Sequence, residues 1–367
     1  MPISQSTFGV TKNRVTAVVV SIGSDASVLS RAVAALATQT TLPQRVLLAV
    51  PTAAHAQEVT ADPAICAAFG SRLYVIPVGD MPNFGSAVSA ALRRYYEEVA
   101  KKLENDDDAS PEWIWLLHAD CAPAPNALQE LLERGNASAK IAIVGPKQVA
   151  PRTHASDPCV LLEMGINATR SARRVPELRE GERDQGQYDS REDVLGVGSA
   201  GMLVRERVWT HLGGFNPHLG PFGDGLEFSR RAWLAGYRVV AAPRAIVEHG
   251  SRSLLHGGDS AQSFGMRRYA QVYNALLAAK TSLVIPLWIG YILGSLPRAL
   301  IRLMWRDSVR AQGELTAGLQ ILGAASAIFA GRREIARLGG DMRVLASLEA
   351  SAKEVRLAKK AQHIAAL

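Results

Sequence analysis

The residues with the clearest chemical potential are His118 and Asp120, which follow directly on an apolar run. Residues 113–117 are five bulky apolar residues without a break, and this predicts a strand covered on both faces of a sheet. In open α/β sheets, ligands bind at the carboxyl edge of the strands. A carboxylate at that edge can bind a divalent cation, and the cation can bind a diphosphate. The alternative is a strand that ends in a turn, with Asp120 capping a helix predicted near Ala127.

Further strands and helices alternate on both sides of this run. Apolar runs predict strands over residues 15–21, 45–50, 73–78, 113–117, 141–145 and 237–242, with another apolar segment at 194–204. Helical spacing predicts helices over residues 27–37, 86–103 and 226–234. The alternation is typical of right-handed βαβ units, so we expect an α/β fold with a mostly parallel sheet. No GxGxxG motif follows the first strand, which argues against a nicotinamide-binding domain.

The composition excludes several classes of protein. A chain of 367 residues suggests about two domains, and 48% hydrophobic with 20% charged residues excludes global disorder. The three cysteines are far apart, which predicts neither a disulfide framework nor a zinc site and fits a reducing compartment. The polar first ten residues lack the basic and apolar regions of a signal peptide.

The C-terminal region differs from the rest in charge and pattern. Residues 298–367 hold twelve Lys or Arg and six Asp or Glu, and so carry six of the seven excess positive charges. Residues 281–297 and 315–330 are uncharged, and both are bordered by arginines. Arginines recur at four-residue steps, which predicts a cationic stripe along one helix: Arg298, Arg302, Arg306 and Arg310. We expect an interfacial helical hairpin on an anionic membrane surface, or else a helical pair packed on the first domain.

Three further expectations concern this region. Residues 332–367 are expected to form one helix rich in Lys, Arg, Glu and Ala. Aromatic and basic residues are not interleaved here as they are in many nucleic-acid-binding surfaces, so we expect no nucleic-acid partner. The pattern divides the chain at residues 1–265 and 266–367, and a membrane domain or partner after the C-terminal region remains compatible with the sequence.

Eight short motifs follow one another along residues 12–255: VVVS, NFG, LLHAD, GSAGMLV, LGGFNP, FGDGLEF, AGYRVV and EHGS. In this order they resemble the family 2 glycosyltransferases of the GT-A fold, which has a Rossmann-like sheet flanked by helices. The similarity is greatest to the branch found in actinobacterial cell-envelope synthesis, and it extends more loosely over residues 256–340. The resemblance implies a nucleotide-diphosphate sugar donor, a glycan or lipid-linked acceptor, and a divalent cation, Mg²⁺ or Mn²⁺. It also implies inversion at the anomeric carbon and a location at the cytoplasmic face of the plasma membrane.

The resemblance assigns roles to individual residues. Asp120 matches the metal-binding aspartate at the end of the fourth strand, with His118 beside it near the donor diphosphate. His249 matches a histidine that adds a metal or phosphate contact. Asp224 lies in the segment that carries the catalytic base, and Arg231 matches a basic residue on the following helix that serves the donor.

The acceptor side is implied to include Asp184, Gln185 and Gln187, within the string DQGQ, together with Glu227. The DQGQ residues lie in a charged segment, residues 170–193, which predicts a surface loop that is mobile or faces the substrate. Simple loop filler is the alternative for DQGQ.

Other assignments also have structural alternatives. Asp224 could act only as the N-cap of the helix predicted from Leu226. His249 could be a structural histidine at a strand end. Arg230 and Arg231 could be solvated on the exposed face of a helix.

Two departures from the family pattern matter for activity. Ala119 stands where the metal motif usually carries a second acid, and Gly225 follows Asp224 where an adjacent acid is usual. These departures motivate a second hypothesis, a catalytically degenerate domain that acts as a scaffold or regulatory subunit of an envelope-assembly complex. A third, a nucleotidyltransferase, would need a cation in the loop after the first strand, where the sequence Ile22–Asp25 offers none.

Overall fold

The computed structural model describes residues 14–21, 26–99, 112–154, 157–175, 178–179, 181–250 and 260–365. The end of the helix predicted over residues 86–103 and the acidic residues 104–108, for which a solvated loop is expected, lie outside these ranges. The strands, in chain order, are β1 (Val15–Val20), β2 (Arg45–Val50), β3 (Leu73–Pro77), β4 (Trp113–His118), β5 (Cys121–Pro123), β6 (Ile141–Val149), β7 (Leu161–Glu163), β8 (Leu203–Arg205) and β9 (Arg238–His249).

Helices cover the sheet and continue beyond it. They are α1 (Ala26–Ala37), α2 (Ala53–Ala61), α3 (Pro63–Phe69), α4 (Phe84–Arg94), α5 (Ala127–Asn136), α6 (Glu206–Leu212), α7 (Asp224–Leu234), α8 (Ala261–Ala278), α9 (Val284–Leu293), α10 (Ser295–Met304), α11 (Ser308–Gly323), α12 (Ala325–Arg337), α13 (Met342–Leu348) and α14 (Ala352–Ala365). One face of the sheet packs against α1, α2, α3 and α5, and the other against α4, α6 and α7. Apolar residues of α8, α9, α11 and α12 form a separate cluster.

The strands described here form one sheet, in the order β3-β2-β1-β4-β8-β6-β9-β5, with β7 paired to β6. Strands β3, β2, β1 and β4 are all parallel, as are β6 and β9. Strand β8 is antiparallel to both β4 and β6. The predicted α/β sheet flanked by helices is confirmed, and the insertion of β8 makes it a mixed sheet.

The centre of the sheet is β4, whose residues fill both cores. Trp115 is fully buried, and its indole Nε1–H donates to the carbonyl of Gly201 at 3.1 Å. Trp113 lies on the same face, beneath the guanidinium of Arg205 at 4.2 Å. A side chain on Gly135 would meet the Trp113 ring at 2.6 Å, so the absence of a Cβ lets α5 pack closely there. The unbroken apolar run of β4 therefore reflects burial on both faces, as predicted.

Strands β6 and β9 are longer than the sequence predicts. Their parallel pairing continues past Pro146 and Pro243, beyond the strand ends predicted at residues 145 and 242. The ladder passes from Pro146↔Ala242 to Lys147↔Ile246, so residues 243–245 bulge out opposite a single step of β6. A bulge removes the need for a proline N–H in the ladder, and this allows both strands to reach the carboxyl edge.

Two predictions for the C-terminal region are wrong. The cationic stripe does not follow one helix, because α10 ends at Met304, Arg306 has a positive φ of 59°, and α11 begins at Ser308. Residues 332–367 do not form one helix either. The helical conformation is interrupted at residues 339–341, where Gly339 has a φ of 67°, and again between α13 and α14.

Replacing Trp115 with alanine removes a fully buried indole and leaves the Gly201 carbonyl without its donor. We expect the free energy of unfolding to fall by about 3–5 kcal/mol, measured by urea denaturation. Leu42→Ala, at an exposed leucine, is the matched control and should change it by no more than about 0.5 kcal/mol. A loss at Trp115 no larger than that of the control would contradict the packing of β4.

A candidate active site at the carboxyl edge of the sheet

Strand pairing brings the first candidate residues together. Strand β4 ends at His118, opposite Val20 at the end of β1. The chain then turns, and β5 pairs antiparallel with β9 so that Cys121 lies opposite His249. This register places Asp120 Oδ1 3.4 Å from His249 Nε2. The motifs around residues 118 and 249 therefore meet at one point of the sheet edge.

His118, Asp120 and His249 form a cluster of possible metal ligands. Each offers one ligand atom, and these atoms lie within 4.8 Å of one another. Both imidazoles also have orienting partners, since His118 Nε2 lies 3.1 Å from Ser199 Oγ and His249 Nδ1 lies 3.3 Å from Gln148 Oε1. When Nδ1–H of His249 donates to that amide oxygen, Nε2 keeps a lone pair facing the Asp120 carboxylate. Two facing lone-pair atoms are an arrangement that a shared cation satisfies, so the residues fit a divalent ion.

Burial and neighbouring charges set the protonation of this cluster. Burial, together with the nearby His249, lowers the pKa of His118 to about 3, although Asp120 acts in the opposite direction. The His118 ring also stacks on Phe84, with 4.0 Å between ring centroids. Burial alone would raise the pKa of Asp120, but the hydrogen bond and positive charge that His249 offers in its protonated form outweigh burial, and the pKa is lowered. At neutral pH the cluster thus holds a neutral imidazole at 118 and a carboxylate at 120.

The cluster lies in the wall of a cleft of about 710 Å³. Asp224 lines the same cleft, as do Glu163 and Arg174. Glu163 Oε1 accepts a hydrogen bond from the Gly198 amide at 2.6 Å, and its other oxygen pairs with Arg174 at 3.0 Å. Of the site residues predicted from the sequence, the cleft therefore brings together His118, Asp120, Asp224 and His249.

Asp224 is the first residue of α7 and is only 7% exposed. Its Oδ1 accepts a hydrogen bond from the Gly225 amide at 2.8 Å. Burial raises its pKa to about 6, although the Gly225 amide and Arg174 act in the opposite direction. A carboxylate with a pKa near neutrality, in the wall of a cleft, has the properties of a general base. The N-cap of α7 is Gly223 and Asp224 is already the first helical residue, so the interpretation of Asp224 as the N-cap is wrong.

The structure gives a reason for both departures from the family pattern. Ala119 is 2% exposed and packs in the core, because alternation along the strand turns residues 118 and 120 toward the cleft and residue 119 away from it. An acid at position 119 would be buried away from the cluster. A Cβ on Gly225 would lie 2.3 Å from the carbonyl oxygen of Val197, so an acid cannot fit there unless the backbone moves.

Arg231 and Glu227 are not part of the cleft wall. They form a buried ion pair within α7, with Nε–Oε1 and Nη2–Oε2 distances of 2.8 Å. Arg231 also donates to the carbonyl of Gly214 at 2.7 Å, so the pair fixes the preceding turn against α7. Arg230 forms a buried ion pair with Glu349 at 2.8 Å. The alternative of solvated arginines at 230 and 231 is therefore wrong.

The DQGQ string lies apart from this cleft. Lys147 Nζ binds both oxygens of Asp184, at 3.0 and 2.8 Å, and also reaches Asp189 at 2.7 Å. Gln185 and Gln187 are exposed, and the Gln187 side chain accepts a hydrogen bond from the Gln185 amide at 2.7 Å. The segment is thus anchored to β6 through a lysine, and none of the three predicted residues lines the cleft.

Sequence reasoning missed Glu163, Arg174, Ser199 and Gln148. Ser199 lies inside the glycine-rich motif GSAGMLV, in the apolar segment at residues 194–204, so the motif could have identified it as a candidate site residue. Gln148 and Glu163 depend on the extension of β6 and on its pairing with the short strand β7. Nothing local in the sequence indicates that pairing.

The comparisons with known proteins agree with this architecture. The family described as "Glycosyltransferase like family 2" matches residues 13–263. That range is more than half of the chain, so the chain belongs to this family. The observed mixed sheet with flanking helices agrees with the predicted GT-A fold. No curated protein matches the sequence significantly, and the resemblance to the actinobacterial branch stays a prediction.

Several solved structures are distantly similar. One is described as GalNAc-T7 with UDP, GalNAc and Mn²⁺ (17% identity, TM-score 0.49), with 64% of this chain and 43% of that chain covered. The chain therefore spans less than half of that structure's length. A second is the mannosyltransferase PcManGT from Pyrobaculum calidifontis in complex with GDP-Man and Mn²⁺ (15%, TM-score 0.45, 86% and 87% covered). A third is S. aureus TarS (12%, TM-score 0.42, 76% and 40% covered). At TM-scores below 0.5, these similarities indicate nothing about the ligands of this chain.

Gly225→Ala tests the close approach of α7 to Val197. We expect the free energy of unfolding to fall by about 1–3 kcal/mol, because the added methyl group displaces backbone. Gly290→Ala, in the interior of α9 with no atom within 4 Å of the added Cβ, is the control and should gain about 0.5–1 kcal/mol. Denaturant unfolding measures both variants, and wild-type stability of Gly225→Ala would contradict the geometry.

Proposed function

We propose that this protein transfers a sugar from a nucleotide-diphosphate sugar to a glycan or lipid-linked acceptor of the cell envelope, with inversion at the anomeric carbon. One observation carries the proposal. A single cleft is lined both by a cluster of possible metal ligands and by a buried carboxylate whose pKa is about 6. Donor activation and acceptor deprotonation are the two requirements of such a transfer, and membership of the family supports the same conclusion.

The donor side of the reaction is assigned to His118, Asp120 and His249. When bound there, a divalent ion would neutralise the charge that develops on the leaving nucleotide diphosphate. The donor set contains two imidazoles and one carboxylate. Mg²⁺ prefers all-oxygen coordination, so this set favours a transition-metal ion such as Mn²⁺. Ser199 and Gln148 orient the two imidazoles through the hydrogen bonds described above.

The acceptor side is assigned to Asp224. Its carboxylate accepts the proton of the acceptor hydroxyl as that oxygen attacks the anomeric carbon, and the bond to the nucleotide diphosphate breaks on the opposite side of the sugar. A single displacement of this kind inverts the anomeric configuration. Burial of Asp224 keeps its basicity higher than that of a solvated aspartate. Glu163 and Arg174 lie along the same wall, where polar groups can bind sugar hydroxyls.

The C-terminal helices support a location at the membrane. Thr281–Met304 is long and apolar enough to cross a membrane and is mostly exposed, and α11 with α12, bent by 65°, is a second candidate only when counted as one span. Large apolar side chains are exposed along this surface, with Met304 and Trp305 each 82% exposed. Exposed apolar patches of this kind mark contact surfaces. We infer contact with the cytoplasmic face of the plasma membrane, and a neighbouring membrane domain or partner is compatible with it.

Metal-dependent nucleotide binding is the first test. Titration calorimetry with UDP, GDP and dTDP should show binding that requires Mn²⁺, is weaker with Mg²⁺ and disappears in EDTA. Asp120→Asn should weaken the Mn²⁺-dependent binding at least about tenfold, because it removes the charged ligand. Binding of these nucleotides that is unaffected by EDTA and by Asp120→Asn would contradict the metal assignment. Complete absence of nucleotide binding would favour the scaffold hypothesis.

Asp224→Asn separates catalysis from binding. The amide keeps the size of the side chain but cannot accept a proton, so we expect kcat to fall by about 10²–10⁴-fold. The Mn²⁺-dependent affinity for the nucleotide should be unchanged. Transfer activity is followed as release of nucleotide diphosphate from the donor that binds. Full activity of this variant would exclude Asp224 as the base.

The pH profile gives an independent check of the same residue. The base must be ionised, and the pKa of Asp224 is about 6 in the folded protein. We therefore expect kcat/KM to level off above pH 6 and to fall about tenfold per unit below it. A descending limb that appears only near pH 4, where an ordinary aspartate titrates, would show that burial of Asp224 does not control the reaction.

Vesicle flotation tests the membrane surface. Replacing Trp305 with serine removes a largely exposed aromatic side chain, and we expect the fraction bound to anionic vesicles of phosphatidylglycerol and phosphatidylcholine to drop several-fold. Leu42→Ser, at an exposed leucine outside the C-terminal helices, is the matched control and should bind as the wild type does. Equal binding of both variants would remove this surface from the proposal.

A further inference from the structure

Four arginines line the cleft on the side formed by the C-terminal helices. Arg267 and Arg268 lie on α8, Arg302 on α10 and Arg310 on α11. We name this set the arginine wall. The family match ends at residue 263, so all four lie outside the matched segment. The wall is a property of the C-terminal helices of this chain.

A buried carboxylate that also lines the cleft, Glu314, holds part of the wall in place. Glu314 on α11 is 4% exposed and lies 3.4 Å from Arg268 and 3.8 Å from Arg302. It also pairs with Arg298 at 2.9 Å, although Arg298 does not line the cleft. Guanidinium groups held by a buried carboxylate lose little further side-chain entropy when a ligand binds. The wall is therefore pre-organised.

Positive charge exceeds negative charge in this cluster. Arg302 and Arg310 each lie 3.4 Å from Asp307. With Glu314, this makes two carboxylates against the four arginines of the wall, an excess of two positive charges. Such an excess at the edge of a cleft attracts an anion that carries more than one charge.

Arg267 is the member of the wall least committed to the protein. It donates to Ser263 Oγ at 2.9 Å and lies over the Phe222 ring at 5.3 Å. Among the residues that the structure describes, it forms no ion pair. Its charge is thus available to a ligand in the cleft, and an arginine suits a phosphate because its planar donors match two phosphate oxygens.

The wall borders the exposed apolar surface. Arg302 is on α10, whose last residue is Met304, and Trp305 follows directly. Met304 and Trp305 are the most exposed large apolar side chains of this region. An amphiphile with its apolar chain against this surface would present its headgroup to the arginines. A water-soluble donor has no apolar chain to place against this surface, so the position of the arginines beside it does not favour such a ligand.

We propose that the arginine wall is a subsite for the phosphate group of a lipid-linked acceptor. The inference rests on the proposed function and makes its acceptor specific. The acceptor is an anionic amphiphile whose phosphate ester binds Arg267, Arg302 and Arg310, while its hydroxyl reaches Asp224 across the same cleft. The donor diphosphate belongs to the His118–Asp120–His249 cluster and does not require the wall.

The test measures binding of n-octyl phosphate, which combines a phosphate ester with an apolar chain, to the full chain in a neutral detergent with EDTA. Calorimetry should show binding that weakens about tenfold in Arg267→Gln, the loss of one charge-assisted contact. Arg310→Gln should show a similar loss, and it serves if the first variant does not fold. Arg298→Gln is the matched control, because it disturbs the same ion-pair network without lining the cleft, and its affinity should equal that of the wild type.

The outcomes separate the inference from the function on which it rests. Nucleotide binding with Mn²⁺ should be equal in wild type and Arg267→Gln, and its loss in the variant would show that the wall holds the donor. Equal octyl phosphate affinity in all variants, or equal losses in Arg267→Gln and Arg298→Gln, would overturn the subsite. Inorganic phosphate that binds as tightly as octyl phosphate would overturn the lipid assignment. Failure of every nucleotide to bind the wild type with Mn²⁺ would instead reject the proposed function, whatever octyl phosphate does.

Discussion

The antiparallel pairing of β5 with β9 is the interaction on which the site depends. Strand β5 has three residues, and its register places Cys121 opposite His249. Without this pairing, Asp120 would project from a free turn and His249 would end a strand with no partner on that side. The pairing in turn requires β9 to pass Pro243 and reach the edge of the sheet, which the bulge at residues 243–245 permits. A local irregularity therefore supports the central cluster.

Burial and close backbone packing explain why positions 119 and 225 carry small residues. Along an extended chain, alternate residues face opposite sides, so His118 and Asp120 share the cleft while Ala119 enters the core. The possible metal ligands that this segment presents to the cleft are thus a histidine and an aspartate. At position 225 the backbone of Val197 fills the space of any side chain. A missing acid in a motif weakens a site only where the side chain would have reached it.

The sequence predicted those parts of the structure that are determined locally. Strands β1, β2 and β4 follow from their unbroken apolar runs, and His118 and Asp120 follow from the place where β4 ends. Features set by distant contacts were missed. The predicted strands ended at residues 145 and 242, directly before prolines, but the pairing of β6 with β9 continues beyond both positions. Arg231 was predicted to serve the donor, with solvent exposure as the alternative, whereas in the structure it is buried against Glu227 and the Gly214 carbonyl. Even a correct motif assignment therefore leaves the surroundings of a side chain open.

The cleft is completed by helices that the family match does not include. Helix α8 begins at Ala261 and runs across the boundary expected at residue 265. Its Asn274 donates to the Gly223 carbonyl at 3.2 Å, directly before Asp224. Arg332 of α12 in turn donates to carbonyls at the C-terminal end of α8, those of Leu276 and of the C-cap Ala279, both at 2.7 Å. The position of the proposed base is thus coupled to helices whose other side is exposed and apolar. Contact of that side with a membrane would act on the same helices that border the proposed base, Asp224.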